Sequence, residues 1–238
     1  MDRRVRVRRT VRRTASVAWL TGSRVRRFSF LLLALASVAA GMLASTVVRS
    51  LTAVSTREVA IEPRLSLRQG GARVGGDGPV LRVFGDYECG ACRELERVAG
   101  DSLRALARYG RMTFVYHHAP LRAHRRGPLA AAAAYCAGTF GSPWAAHRAF
   151  YQRVPLWNTG DNPLGRLAAA AAHGGADPAR LRSCLEARAT VAHVERDRVL
   201  ADELGIDAVP TVFLDEERIM FRSYRALLRY VTRRALAS

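Results

Sequence analysis

Two cysteines separated by two small residues, Cys89-Gly90-Ala91-Cys92, are the part of this 238-residue sequence whose types and spacing could do chemistry. Thiols at that spacing close readily into a small disulfide ring, and a thiol at a helix start has its thiolate stabilised by the helix dipole. The pair therefore points to dithiol/disulfide exchange, with Cys89 as the exposed nucleophile and Cys92 as the shielded resolving thiol. A zinc site would need two more ligands at matching spacing. Cys136 and Cys184 stand alone in helical sequence, and none of the six histidines completes a second paired set with them. Redox chemistry is thus preferred to metal binding or an inert disulfide, and no metal is expected.

The neighbouring sequence sets the pair at a strand-to-helix junction. Val80-Leu81-Arg82-Val83-Phe84 is a β-rich run with alternating apolar positions, and Gly85-Asp86-Tyr87-Glu88 turns into the cysteines. Leu95, Val98, Leu103, Leu106 and Tyr109 then recur at mostly helical intervals until Gly110. Met112-Thr113-Phe114-Val115-Tyr116-His117 is a second strand, so strand, helix and strand make a parallel right-handed unit. Residues 122–205 read as almost wholly helical, with starts marked by Ser142-Pro143 and Asp177-Pro178. Residues Thr211 to Leu214 and Arg218 to Phe221 predict an antiparallel hairpin, and Ser223 caps a terminal helix from Tyr224. There is no internal repeat.

The remaining third of the chain concerns location. Every one of the 38 basic residues is Arg, and the net charge is +18. Residues 1–27 hold ten arginines and one aspartate, hence half of that excess. Such an arm suits nucleic acid, but its neighbour argues against that reading and no nucleic-acid partner is expected. Residues 28–48, FSFLLLALASVAAGMLASTVV, are 21 uncharged residues, which as a helix span roughly the 30 Å of a bilayer core. The charge asymmetry keeps residues 1–27 cytoplasmic and exports the rest, as a single-pass cell-membrane protein. A cleaved signal peptide, and so a secreted domain, is the competing reading; the apolar run is longer than a usual signal core. Residues 49–78 end in a stretch with five glycines in ten residues and read as a flexible linker, with Val59 to Leu67 a weak edge strand because of Pro63.

From about Pro79 to Ala237 the chain resembles the thioredoxin-fold thiol:disulfide oxidoreductases of the DsbA type, especially membrane-tethered members. The carriers are Phe84-Gly85-Asp86-Tyr87-Glu88-Cys89-Gly90-Ala91-Cys92-Arg93, Pro120-Leu121 with His124, and Gly205-Ile206-Asp207-Ala208-Val209-Pro210-Thr211-Val212-Phe213. The resemblance implies an α/β thioredoxin-like fold with a helical insertion over about 122–205 in a domain spanning 79–238. It also implies a cis Pro210 facing the active site and a Val209 backbone on which an extended substrate pairs. Its substrates would be unfolded or partly folded exported proteins, its reoxidant a quinone-linked membrane partner, and its only redox group the Cys89–Cys92 disulfide itself. Related sequences join their insertion helices through cysteines in contexts like those of Cys136 and Cys184; two separate buried thiols are the alternative.

Two departures stand out. Many relatives carry an acid six positions before the first cysteine, where this chain has Val83; Asp86, Glu88 or water would then exchange the proton, unless both carboxylates simply lie in a solvated turn. Gly90-Ala91 supplies no imidazolium for the thiolate, so the potential should be less extreme than in strong oxidants. The histidines 117, 118, 124, 147, 173 and 193 read as surface or helix-packing residues, and Trp144, Phe150, Tyr151 and Trp157 as anchors of the insertion. The expected activity is exchange of disulfides with exported proteins. A reductase or isomerase of the same fold, or a tethered non-catalytic chaperone or metal-binding protein, are the alternatives.

Overall fold

The computed structural model describes residues 36–38, 42, 54–57, 71–140 and 143–237. The chain divides into two units, Met1–Leu51 and Thr52–Ser238. In the first, residues 36–38 and 42 are helical, and the rest of the expected membrane segment 28–48, like the arginine-rich arm, lies outside the described residues. Among the described residues no helix is long and apolar enough to cross a membrane.

The second unit is built on a six-stranded sheet. Its strands are β1 (Val54–Arg57), β2 (Ala72–Gly75), β3 (Val80–Gly85), β4 (Thr113–His118), β5 (Thr211–Leu214) and β6 (Glu217–Phe221), in the order β1-β6-β5-β3-β4-β2. Only β3 and β4 run parallel, and every other pair is antiparallel. The central strands are buried on both faces, which is why they read as near-continuous apolar runs. Alternation then divides the core. Leu81, Val83, Phe114, Tyr116, Val212 and Leu214 enter the larger core, whereas Phe84 and Phe213 point to a smaller one shared with Leu200 and Ile206. Each such side chain contributes roughly 1.5–3 kcal/mol by leaving water.

Helix α1 (Gly90–Leu95) passes through a π-helical turn, Glu96–Gly100, into α2 (Asp101–Arg108). The buried line runs through Cys92, Leu95, Ala99, Leu103 and Ala107, a spacing the wide turn keeps on one face. Tyr109, expected on that face, is instead 81% exposed. The insertion comprises α3 (Gly127–Thr139), α4 (Pro143–Gln152), α5 (Val154–Trp157), α6 (Pro163–Ala172), α7 (Pro178–Glu186) and α8 (Val191–Glu203). Asp177 caps α7 by accepting from the N–H groups of Ala179 and Arg180, and Asn162 caps α6 through Gly165. Ser142, the expected cap of α4, lies outside the described residues. Cys136 on α3 and Cys184 on α7 are bonded to each other. The terminal helix α9 (Tyr224–Ala237) starts at Ser223, whose hydroxyl accepts from Ala226 N–H at 3.2 Å.

The expected linker over 49–78 is corrected by two strands. Residues Val54–Arg57 pair with β6 at one sheet edge and Ala72–Gly75 pair with β4 at the other. The proposed strand within Val59 to Leu67 lies outside the described residues. The glycines that suggested flexibility serve close approach instead: Gly75 has φ +110° and a Cβ there would run into the Met112 carbonyl.

The reading of the histidines is also corrected in part, since His117, His118 and His147 are buried. Asp197 of α8 accepts from His117 Nδ1 at 3.0 Å, His118 N–H at 2.8 Å, Tyr135 O–H at 2.5 Å and Gly71 N–H at 3.2 Å. One carboxylate thereby ties α8 to β4, α3 and the approach to β2. Burial opposes its charge, but these bonds and the histidines hold its pKa below the ordinary range.

Two stability predictions follow from these ties. Asp197→Ala should cost about 3–5 kcal/mol in denaturant unfolding, because it strands several buried donors at once. The Asp197 contribution is present above the unfolded carboxylate pKa of about 3.9 and is lost as pH falls through the lower folded value. Replacing Cys136 and Cys184 together opens a loop of sequence separation 48, which should cost about 4 kcal/mol in unfolding while leaving disulfide exchange intact.

Candidate active site

The β3 strand delivers the chain into the turn Asp86-Tyr87-Glu88, and Cys89 N–H closes it on the Asp86 carbonyl at 3.1 Å. Cys89 occupies the N-cap position of α1 with extended backbone (φ −72°, ψ 120°), so its carbonyl already receives Arg93 N–H at 3.0 Å. Its thiol is partly exposed, whereas Cys92, in the first turn, is buried. Both are free thiols. On the other side, Gly205 ends α8 with φ +62° and the loop returns to β5 through the cis Val209-Pro210 peptide. The Val209 carbonyl accepts a hydrogen bond from Cys89 Sγ at 3.4 Å.

The two sulfurs are electrostatically split. The hydrogen bond from Cys92 acts most strongly on Cys89; backbone N–H groups of Cys92 and Ala91 reinforce it, while partial burial and the Asp86 charge oppose it. The net result lowers the Cys89 pKa from 9.0 to about 6. Burial drives Cys92 well above the ordinary thiol range, and the Cys89 hydrogen bond and charge add to the rise. At neutral pH the exposed sulfur is a thiolate and the buried one a thiol.

The carboxylates before the motif are not solvated. Asp86 is 2% exposed and accepts from Glu88 N–H at 2.9 Å, Leu121 N–H at 2.9 Å and His124 Nδ1 at 2.6 Å. Glu88 accepts from the N–H groups of Arg126 and Gly127, which caps α3. Together they clamp the loop after β4 against the redox turn, which excludes the solvated-turn reading. Asp86 is the one whose charge acts on both thiols.

Beneath Cys92 lies a small cavity walled by Val83, Glu96, Tyr116, His147 and Tyr151. The position where relatives carry an acid is thus apolar here, and an ionised network lies deeper. Tyr87 O–H pairs with His147 Nδ1 at 2.9 Å, His147 Nε2 lies 3.4 Å from Glu96, and Arg104 grips Glu96 bidentately at 2.6 and 2.7 Å. Burial opposes ionisation of Glu96, but His147 and Arg104 outweigh it and take the pKa to about 2. Gly100 admits this carboxylate, since a Cβ there would collide with it. Sequence reasoning missed Glu96, His147 and Arg104, although Glu96 stands one turn beyond Cys92 and was accessible to helical spacing. Cys136 and Cys184 lie on the insertion helices, bonded to each other. Among the described residues no group of three or more His, Cys, Asp or Glu side chains is disposed to hold a metal.

A thioredoxin-type sheet carrying a Cys-x-x-Cys helix start beside a cis-proline loop defines a class, and comparison with known proteins agrees. The family model described as Thioredoxin matches residues 77–232, and the chain belongs to the thioredoxin family. Among solved structures, oxidised BdbD from Bacillus subtilis superposes with TM-score 0.60 at 21% identity, covering 70% of this chain and 94% of that one. Oxidised DsbA of Mycobacterium tuberculosis gives 0.58 at 21%, covering 69% and 92%. A thioredoxin-like oxidoreductase from Silicibacter pomeroyi gives 0.55 at 23%, covering 71% and 93%. No curated protein matches the chain. The domain therefore has the fold of the DsbA-type thiol-disulfide oxidoreductases.

Alkylation of the reduced full-length chain should label Cys89 with a rate half-maximal near pH 6 and leave Cys92 unlabelled in the native state. Faster labelling of Cys92 would reverse the assignment of roles. The depressed Cys89 pKa stabilises the reduced fold fully above 9.0, and that contribution disappears as pH falls to about 6.

Proposed function

We propose that this protein is an extracytoplasmic dithiol:disulfide oxidoreductase that oxidises unfolded or partly folded exported proteins. The observation that carries the reading is the pairing of a partly exposed thiol of pKa about 6 with a buried thiol directly behind it. Stabilising the Cys89 thiolate stabilises the reduced form, which makes the disulfide form the better oxidant. Electron flow from substrate to enzyme is therefore favoured over the reductase or isomerase reading.

In the forward reaction a substrate thiolate attacks Sγ of Cys89 in the Cys89–Cys92 disulfide, and Cys92 leaves as thiolate and takes up a proton. A second substrate thiolate then attacks the substrate sulfur of the mixed disulfide and expels Cys89, whose low pKa makes it a good leaving group. Two electrons pass from the substrate dithiol to the enzyme pair. The carbonyl of Val209, already within 3.4 Å of Cys89, is the edge on which an extended substrate segment would pair, with Pro210 beside it. The charge asymmetry around residues 28–48 supports a membrane anchor with the catalytic domain outside the cytoplasm. A quinone-linked membrane partner would then reoxidise Cys89 and Cys92, with no further cofactor on this chain.

Full-length Cys92→Ser, expressed with its anchor, should accumulate mixed disulfides between Cys89 and exported proteins, and Cys89→Ser should trap none. Equal trapping by both variants, or none by either, would reject exchange through this pair.

A further inference from the structure

We infer that His124, held by buried Asp86 beside the turn that carries Cys89, supplies the positive charge that Gly90-Ala91 lacks, so that its protonation is coupled to the redox state of the Cys89–Cys92 pair. This rests on the exchange chemistry proposed above. The Asp86 side chain is fully buried and its Oδ2 lies 2.6 Å from His124 Nδ1, while the imidazole keeps 26% exposure and so stays open to protons from solvent. The other partners of Asp86 are the neutral N–H groups of Glu88 and Leu121. A buried carboxylate held only by neutral donors is costly, and its charge disfavours a thiolate at Cys89. Protonating His124 makes the pair neutral and removes that penalty.

The surroundings of His124 favour this. Burial works against its charge, but Asp86, Glu88 and Cys89 all face it and the balance raises its pKa. The cations on its own loop do not occupy the position. Arg126 is turned away to the carbonyls of Trp157 and Gly160, and Arg122 and Arg125 are exposed. His124 acts through Asp86 and through charge, as a positioning residue.

The proton balance gives His124 a definite part. When the enzyme disulfide accepts two electrons from a substrate dithiol, one substrate proton ends on Cys92 and Cys89 remains a thiolate. The second proton is released, and a neutral His124 binds it. Linkage requires the effect to be reciprocal: the thiolate raises the proton affinity of His124 by the factor with which protonated His124 favours the thiolate.

The test is a titration of histidine-labelled, full-length protein by NMR in both redox states. His124 should bind its proton about tenfold more tightly in the reduced form, a shift of about one pH unit. In His124→Asn, which keeps a donor toward Asp86 but no charge, the Cys89 pKa should rise by about the same shift. The reduction potential should fall by about 30 mV, the equivalent of that tenfold change. Identical titration of His124 in both redox forms overturns the inference, as does an unchanged Cys89 pKa in folded His124→Asn. If that variant does not fold, the wild-type titration decides alone. Loss of all exchange with a dithiol peptide in the wild-type protein would reject the proposed function instead; intact exchange with an uncoupled His124 rejects only this inference.

Discussion

The hydrogen bond between the two thiols, Cys92 to Cys89, is the interaction on which the remaining structure depends. It is the largest influence lowering the Cys89 pKa, and it exists only because one sulfur is held at the lip of a helix while the other is sunk into the core. A single helical turn cannot do this alone. Burial of Cys92 requires Val83, Tyr116 and Tyr151 above the sheet and insertion helices to cover them. The larger core thus serves as the insulation that keeps the second proton on Cys92.

A second constraint concerns buried carboxylates, each of which must find donors or a cation. Asp86 and Glu88 fasten the loop after β4 to the redox turn, Glu96 is gripped by Arg104 and approached by His147, and Asp197 gathers the ends of four separate segments. These groups divide the labour. Glu96 and Asp197 lie within the scaffold and set its register, whereas Asp86 reaches the sulfurs electrostatically and meets a partly exposed histidine on its other side. Polar burial in this protein therefore fixes loop positions that apolar packing would leave free.

Much of the fold was legible without coordinates, for identifiable reasons. The β3 and β4 runs, the helix starts at Asp177 and Ser223, and the hairpin of β5 and β6 all carry local signals: period, cap and turn. The edge strands were not legible. β2 consists of Ala-Arg-Val-Gly flanked by glycines, and only its pairing with β4 distinguishes it from a tether. Tyr109 was misplaced because regular helical spacing does not anticipate the π-helical turn at Glu96–Gly100.

For the site, the amino-acid sequence by itself determined the reactive pair, the order of nucleophile and resolving thiol, and the Val209-Pro210 segment, because these lie in short motifs whose chemistry is local. Tertiary structure alone decided which groups surround them. His124 is separated by 38 residues from Asp86 and His147 by 60 from Tyr87, distances over which no periodicity operates. Whether a carboxylate lies in a solvated turn or a buried one depends on the chain folded over it. For Asp86 that chain is the loop from Leu121 to His124, and its closure converts a turn residue into the charged neighbour of a thiolate.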